Sequence, residues 1–590
     1  MGLLYEPFAG LRDRAEPEDP HVRRRQQSVR QGSAGLAGHH GDQSRAVRRD
    51  RAYVPRRREV RALISSRRLA DRLLACAVAA GVAGVAAAAT PVASVREGTV
   101  TGTVDGDVER FLGVPYAAPP IGPDRWRPPR PAAKRAAILA AENQPAACIQ
   151  APPAGPTPAP ATSEDCLYLN LWRPAATTPG ARLPVFVWIH GGAFRAGSIS
   201  DPRIQGDLLA RRGIIVVTIQ YRLGVLGFLS HPGLSAESAD HVSGNYGLLD
   251  QIAALKWVRQ NIAAFGGDPA KVTIGGLSAG AISTAMLASA PQARGLYRGI
   301  VSMSGGSFAP PRSPSEAGEN MEPLRESEKN GARFAEGLGA RDIAALRAVP
   351  AATLATADTR GVGWPVIDGL VIPGDEYRLW QERKIADVPL LLGTTADEGF
   401  SFSRIGTLDQ YRAEVARRYG SFAPDILRAY PAATDAEAVR QGRDLTRDVM
   451  FGWGTWIWGT LQARYGKAPV HSYYFAHVPP RDARTPPDAG AVHGGDQPYP
   501  FGIAHQDRAW TDSDRRISDA MLRYFANFVK TGDPNGNGLP AWPRLAAEGQ
   551  QVLRIDDDLA AGPVANRAGI ETIDRYMALR REQSGLGAPK

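Results

Sequence analysis

The run KVTIGGLSAGAISTAMLAS sets Ser278 between Gly276 and Gly280, where an apolar, β-branched stretch (Val272 to Ile274) gives way to helix-forming residues (Ala281 to Ala288). This is the G-x-S-x-G pattern of a nucleophile elbow, a strand-to-helix turn so tight that a Cβ two residues either side of the serine would clash. Backbone strain in such a turn holds the hydroxyl outward toward substrate. The chemistry is acyl transfer. A serine hydroxyl is a poor nucleophile at neutral pH, so the reaction also needs a histidine base, a carboxylate to fix the histidine tautomer, and donors for an oxyanion.

In proteins with this elbow the acid and then the histidine follow the serine along the chain. The histidines downstream are His471, His477, His493 and His505. His471 and His477 flank a strand-like run and read as structural. His493, in AVHGGD, lies in a glycine-flanked loop that could present a base. For the acid, the apolar run Val388 to Leu392 leads into GTTADEG, and a carboxylate just past a strand's C-terminal end is well placed for catalysis. Asp397 and Glu398 both meet that condition, and chemistry alone does not separate them. His190-Gly191-Gly192-Ala193-Phe194 follows the apolar run Leu183 to Ile189, and the backbone N–H groups of Gly191, Gly192 and Ala279 are the expected oxyanion donors. Phe194, Trp364, Phe400 and Trp456 are candidates for the pocket wall.

These groups can converge only if several strand ends lie side by side. Largely continuous apolar runs recur at Leu183 to Ile189, Ile214 to Ile219, Val272 to Ile274, Gly299 to Met303, Val388 to Leu392 and Ser472 to Phe475, as expected of strands buried on both faces. Between them, Leu248, Ile252, Leu255 and Val258 fall at helical spacing within Tyr246 to Phe265. Asp514 to Lys530 reads as an amphipathic helix that stops at Gly532-Asp533-Pro534. Alternating strand and helix predict an α/β fold with a large, mostly parallel central sheet flanked by helices. Pro- and Ala-rich Ala151 to Ala161 reads as a surface loop.

The formal charge of +10 is concentrated at the N-terminus. Residues 1 to 72 hold 17 Lys and Arg against 9 Asp and Glu, leaving only +2 for the rest, which carries no basic stripe interleaved with aromatics. Nucleic acid is therefore not an expected partner. Residues 1 to 66, Arg-rich and without apolar periodicity, read as a disordered or over-extended segment. Residues 67 to 93 read as a signal peptide: Arg67, Arg68 and Arg72 precede the weakly apolar Leu73 to Ala89, which ends in small residues. Residues 94 to 590 are then one catalytic domain, exported to the periplasm or beyond, without a stable membrane anchor. Cys148 and Cys166 are the cysteines after Cys76, and in an exported chain they pair as a disulfide closing a short loop. No Cys/His spacing suggests a metal site.

Further segments extend the pattern: GTVTGTVDG with FLGVPYAAPPIGPDRWRPP (Gly98 to Pro129), SEDCLYLNLWRP (Ser163 to Pro174), YRLGVLGFL (Tyr221 to Leu229), GNYGLLDQIAALKWVRQNIAAFGGDPAKVTIGGLSAG (Gly244 to Gly280) and FVKTGDPNGNGLPAWP (Phe528 to Pro543). Together with HGGAF, GTTADEG and AVHGGD, they resemble the type-B carboxylesterase family, which includes cholinesterases and bacterial para-nitrobenzyl esterases, over residues 96 to 545. The resemblance implies an α/β-hydrolase fold without a cofactor, acting on small-molecule esters. It also implies Ser278 as nucleophile, Glu398 rather than Asp397 as acid, His493 as base, and Cys148 bonded to Cys166. Two departures stand out: Leu277 where the family usually has Glu before the nucleophile, and Gln220 where it usually has Asn. No aromatic lies between residues 149 and 165, where cholinesterases place one to recognise a quaternary ammonium, so choline esters are not expected. Amidases, carbamate hydrolases, thioesterases and polyester depolymerases would share the triad, whereas a binding protein on this fold would be expected to lack one of its members.

Overall fold

The apolar runs become strands because each buries both faces. Along Leu183–Ile189, Val185, Val187 and Ile189 enter one hydrophobic cluster and Phe186 and Trp188 the other, all without measurable exposure. Each such side chain contributes about 1.5–3 kcal/mol relative to leaving it in water. The computed structural model describes residues 90–153, 159–311, 321–481, 485–503 and 508–584.

Among the described residues one sheet has eleven strands. In chain order they are β1 (Thr103–Asp105), β2 (Val108–Pro115), β3 (Tyr168–Pro174), β4 (Leu183–Ile189), β5 (Ile215–Ile219), β6 (Gly267–Leu277), β7 (Gly299–Met303), β8 (Leu390–Thr395), β9 (Val470–Phe475), β10 (Gln551–Ile555) and β11 (Leu559–Pro563). Their spatial order is β11-β10-β9-β8-β7-β6-β4-β5-β3-β2-β1. From β5 through β4, β6, β7, β8 and β9 to β10 every pairing is parallel, and the outer strands on both sides pair antiparallel. This is the large, mostly parallel sheet of an α/β-hydrolase. β4 and β7 form residue for residue where the sequence predicts them, while β6 runs further at both ends and β8 is shifted toward its C-terminal end.

Helices follow the periodic segments. Helix α1 (Tyr246–Asn261) continues as a short 3-10 turn to Phe265 and ends at Gly266, whose φ of 83° is open to glycine at low cost. α2 (Ala279–Ser289) starts at the elbow. α3 (Trp453–Tyr465) follows directly on a π-helical turn, Asp448–Gly452. α4 (Asp512–Thr531) opens with a Thr511–Asp514 capping box and stops at Gly532 in the left-handed region, where Gly-Asp-Pro predicts its end.

A short strand, Val92–Val95, pairs antiparallel with Gly98–Thr101, so regular structure begins inside the last residues of the segment read as a leader. Residues 67 to 89 of that leader, and the segment before it, lie outside the described residues. Among the described residues no helix is long and apolar enough to cross a membrane.

Candidate active site

β6 ends at Leu277, and Ser278 carries the turn into α2 with φ 57° and ψ −122°, a left-handed backbone that a non-glycine residue adopts only under constraint. The two elbow glycines show what the constraint is. A methyl at Gly276 would stand 2.4 Å from the Gly280 carbonyl carbon, and one at Gly280 would stand 2.1 Å from the Ile189 carbonyl oxygen. Neither position has room for a Cβ. From Val272 to Ala281 every residue is buried except Ser278, which is partly exposed.

The same close packing joins the elbow to the loop after β4. A methyl at Gly191 would come within 2.7 Å of Leu277 O and 3.2 Å of Ser278 Cβ, so Gly191 lies directly beside the serine. Gly192 has φ 115°, and Gly191, Gly192 and Ala193 all keep partial exposure. Ala279 is the first residue of α2, and a first-turn N–H has no acceptor within its own helix. His190 anchors this loop: its ring stacks on Tyr221 at 4.6 Å, and the Tyr221 hydroxyl donates to the His190 carbonyl at 3.0 Å. Burial pushes the His190 imidazole down to about 4, so it is neutral near pH 7.

Asp397 and Glu398, which chemistry alone does not distinguish, point to different partners. Asp397 turns its carboxylate to the Gly490 backbone N–H at 3.0 Å. Glu398, fully buried, meets Nδ1 of His493 with Oε2. Its other oxygen, Oε1, accepts the Ser304 hydroxyl at 2.6 Å, the Thr394 hydroxyl at 2.9 Å and the Thr395 N–H at 2.9 Å. Burial alone would raise this carboxyl, but the facing His493 and the hydrogen bonds from His493, Ser304 and Thr395 outweigh it and hold the group below the ordinary carboxylate range. Glu398 therefore stays ionised.

Rings fix His493 from two sides. Phe451, presented by the π-helical turn, stacks on the imidazole at 4.4 Å, and Phe402 meets it edge-on at 5.2 Å. The histidine loop also packs on the elbow, for a methyl at Gly494 would lie 3.2 Å from Leu277 Cδ2. Backbone hydrogen bonds tie the strand ends that carry these groups: Ser278 N–H to Met303 O at 2.9 Å, and Ser304 N–H to Gly393 O at 2.8 Å. Ser278, Glu398 and His493 thus project from the C-terminal ends of strands β6 and β8 and from the loop after β9.

The other expected residues are placed as follows. His471 is buried against Trp542, and His477 bridges Asp514 at 2.8 Å and Asp557 at 3.0 Å. His505 lies outside the described residues. Phe194 packs between Phe228 and Trp364, Phe400 lies under the Arg443 guanidinium, and Trp456 donates its indole N–H to Gln550 at 2.6 Å. Cys148 and Cys166 form a disulfide. Gln220 serves that same loop, its side-chain amide donating to Ala146 O at 2.8 Å and to Cys166 O at 3.3 Å, while its backbone carbonyl accepts the Tyr116 hydroxyl. Ser304, Phe402, Phe451, Tyr473 and Asp496 were not singled out in the sequence. Ser304, a serine just past the end of β7, had the one legible signal among them.

Comparison with known proteins places this chain among esterases. The profile of the Carboxylesterase family matches residues 89–570. The fumonisin B1 esterase of Sphingopyxis macrogoltabida is 35% identical over 493 residues, covering 79% of this chain and 86% of that protein. The para-nitrobenzyl esterase of Bacillus subtilis (strain 168) is 32% identical over 495 residues, covering 79% and 95%. A solved PNB esterase structure matches with a TM-score of 0.69 at 31% identity, covering 83% of this chain and 100% of that one.

Proposed function

Since the chain belongs to the carboxylesterase family and is a serine carboxylesterase, we propose that it hydrolyses carboxylic esters through an acyl-enzyme on Ser278, with His493 as base and Glu398 as the acid that orients it. The observation that carries this assignment is the ionised, fully buried Glu398 bonded to His493 while Ser278 is held in a strained, partly exposed turn.

Ser278 Oγ attacks the ester carbonyl as His493 Nε2 takes its proton, and Glu398 stabilises the imidazolium that forms at Nδ1. The N–H groups of Gly191, Gly192 and Ala279 receive the oxyanion; losing one such donor typically costs about 10²- to 10³-fold in rate. His493 then returns the proton to the departing alkoxide. Water, activated by the same histidine, attacks the acyl carbonyl and frees the carboxylic acid and Ser278. The disulfide Cys148–Cys166 supports an exported protein, because such bonds persist in oxidising compartments.

Turnover of p-nitrophenyl acetate, butyrate and octanoate, with fumonisin B1 and a p-nitrobenzyl ester added because two relatives are named for them, tests the activity. A serine-directed organophosphate should abolish it and leave its adduct on Ser278. Turnover that persists in Ser278→Ala, or an adduct elsewhere, refutes the assignment.

A further inference from the structure

Asp496 lies three residues after His493, in the turn closed by Gly495 N–H to Val492 O at 2.8 Å and Gln497 N–H to Gly494 O at 3.3 Å. It is fully buried, and the mechanism above does not use it. Its Oδ2 accepts the Tyr473 hydroxyl at 2.5 Å, and its Oδ1 has no hydrogen-bond partner among the described residues. Tyr473 is itself fixed by close packing, since its ring fills the space beside Gly393 on the neighbouring strand, where a methyl would fall 1.9 Å from Cε1. The Tyr473 hydroxyl is therefore held on Oδ2.

A buried carboxylate with an unsatisfied oxygen is costly, and the neutral acid is less so. We propose that Asp496 is a positioning residue for the reaction: a second buried carboxyl whose protonation state sets the charge felt by the His493–Glu398 pair and so tunes the pH range in which His493 works. The inference rests on the reading of His493 as base and Glu398 as acid.

The surroundings agree. Burial pushes Asp496 up to about 7; the Tyr473 hydrogen bond pulls it down, the Glu398 charge pushes it up, and a charged His493 pulls it down. The titratable groups that face it are His493 on its own turn, Glu398 after β8, Tyr473 on β9 and Tyr499 on the short helix that follows. On the elbow side the neighbour to this loop is the apolar Leu277. Glu398 is an acid whose charge bears on Asp496, and the two together carry one negative charge below neutrality and two above.

Ionised Asp496 favours the protonated imidazole in two ways. In the resting enzyme it delays formation of the free base to higher pH. In the transition state, where His493 holds the proton taken from Ser278, it stabilises that imidazolium and raises the rate once the charge is present. Both effects push the acidic limb of kcat/KM upward in pH.

The test is the pH profile of kcat/KM for p-nitrophenyl butyrate with the full-length chain and its Asp496→Asn variant. Wild type should show two ionisations on the acidic side and the variant one, with the variant's half-maximum lower by about half a pH unit or more. A merely structural role would change the height of the profile and not its position, so an unmoved or upward-shifted limb overturns the proposal. If Asp496→Asn does not fold, Tyr473→Phe gives the same decision: it strips the carboxylate of the Tyr473 hydrogen bond, and the upper ionisation must move to higher pH or the proposal fails. Turnover that survives Ser278→Ala would overturn the underlying reading instead, whereas Ser278-dependent turnover with an unmoved limb overturns only the role of Asp496.

Discussion

Ser304 donates its hydroxyl to Glu398 at 2.6 Å, on the carboxylate oxygen that His493 does not use. It sits at the C-terminal end of β7 with φ 55°, between β6, which leads to Ser278, and β8, which leads to Glu398. The Glu398 carboxylate is thereby aimed by its neighbour strand. Ser304→Ala leaves Thr394 and Thr395 as donors to the same oxygen, so the carboxylate stays ionised but loses part of its restraint. A hydrogen bond to a charged group is worth about 1.5–3 kcal/mol, which corresponds to a fall in kcat of roughly 10- to 100-fold with KM little changed. Glu398→Gln should cost more, about 10³- to 10⁴-fold, because the amide neither carries the charge nor fixes the tautomer. Steady-state kinetics on one p-nitrophenyl ester ranks the two, and a Ser304→Ala enzyme with wild-type kcat would remove Ser304 from this account.

How much of this was legible in the sequence follows from how local each signal is. Ser278, the glycines of the elbow and the loop after β4 announce themselves because tight backbone approach demands glycine at fixed spacing, and the structure bears this out at Gly276, Gly280 and Gly191. The continuous apolar runs gave the parallel sheet, since burial on both faces leaves no alternation to confuse with a surface strand. Asp397 and Glu398 could not be told apart by chemistry because both are carboxylates past the same strand; which one faces His493 depends on a 3-10 turn, Glu398–Ser401, that tertiary packing sets. Phe451 and Asp496 were hidden for a related reason. One reaches His493 from a π-helical turn 42 residues earlier in the chain, and the other matters through a hydrogen bond to Tyr473 on a neighbouring strand.

The elbow predicts its own intolerance. A methyl at Gly280 would overlap the Ile189 carbonyl, which is backbone of β4 and has no side-chain freedom with which to yield. Gly280→Ala should therefore displace the start of α2 and with it Ser278, lowering kcat/KM by about 100-fold or more, since misplacement of reacting groups by about 1 Å costs that much. Far-ultraviolet circular dichroism should show a folded protein. A folded Gly280→Ala enzyme at full activity would mean that the loop after β4 can retreat, contrary to the packing seen here.

The disulfide closes a segment with a sequence separation of 18 between its cysteines, and Gln220 ties the same segment to β5 through the Cys166 and Ala146 carbonyls. In the chain-entropy model a loop of that length is worth roughly 3 kcal/mol. The double variant Cys148→Ser/Cys166→Ser should melt several degrees below wild type, and dithiothreitol should lower the melting temperature of wild type but not of the variant. Equal sensitivity of both proteins to the reductant would show that the bond does not contribute to stability.

Glu376 offers a pH-linked test of stability away from the reacting groups. Fully buried, it takes hydrogen bonds from Ser307 and, at 3.1 Å, from Ser289 at the end of α2. Burial nevertheless pushes its carboxyl up to about 8, against opposing contributions from those two hydroxyls and with a further push from Asp375. A carboxyl whose folded value lies above its unfolded value of about 4.5 binds its proton more tightly in the native state. Its contribution to stability is full below about pH 4.5 and is lost as pH rises through about 8. Glu376→Gln is neutral throughout and keeps an acceptor for the two serines, so it has no such loss. Its melting temperature relative to wild type should therefore rise between pH 5 and pH 9, whatever the offset at pH 5. Thermal unfolding of the two proteins across that range decides the matter, and a difference that stays constant with pH would show that Glu376 is already ionised in the folded state at neutral pH.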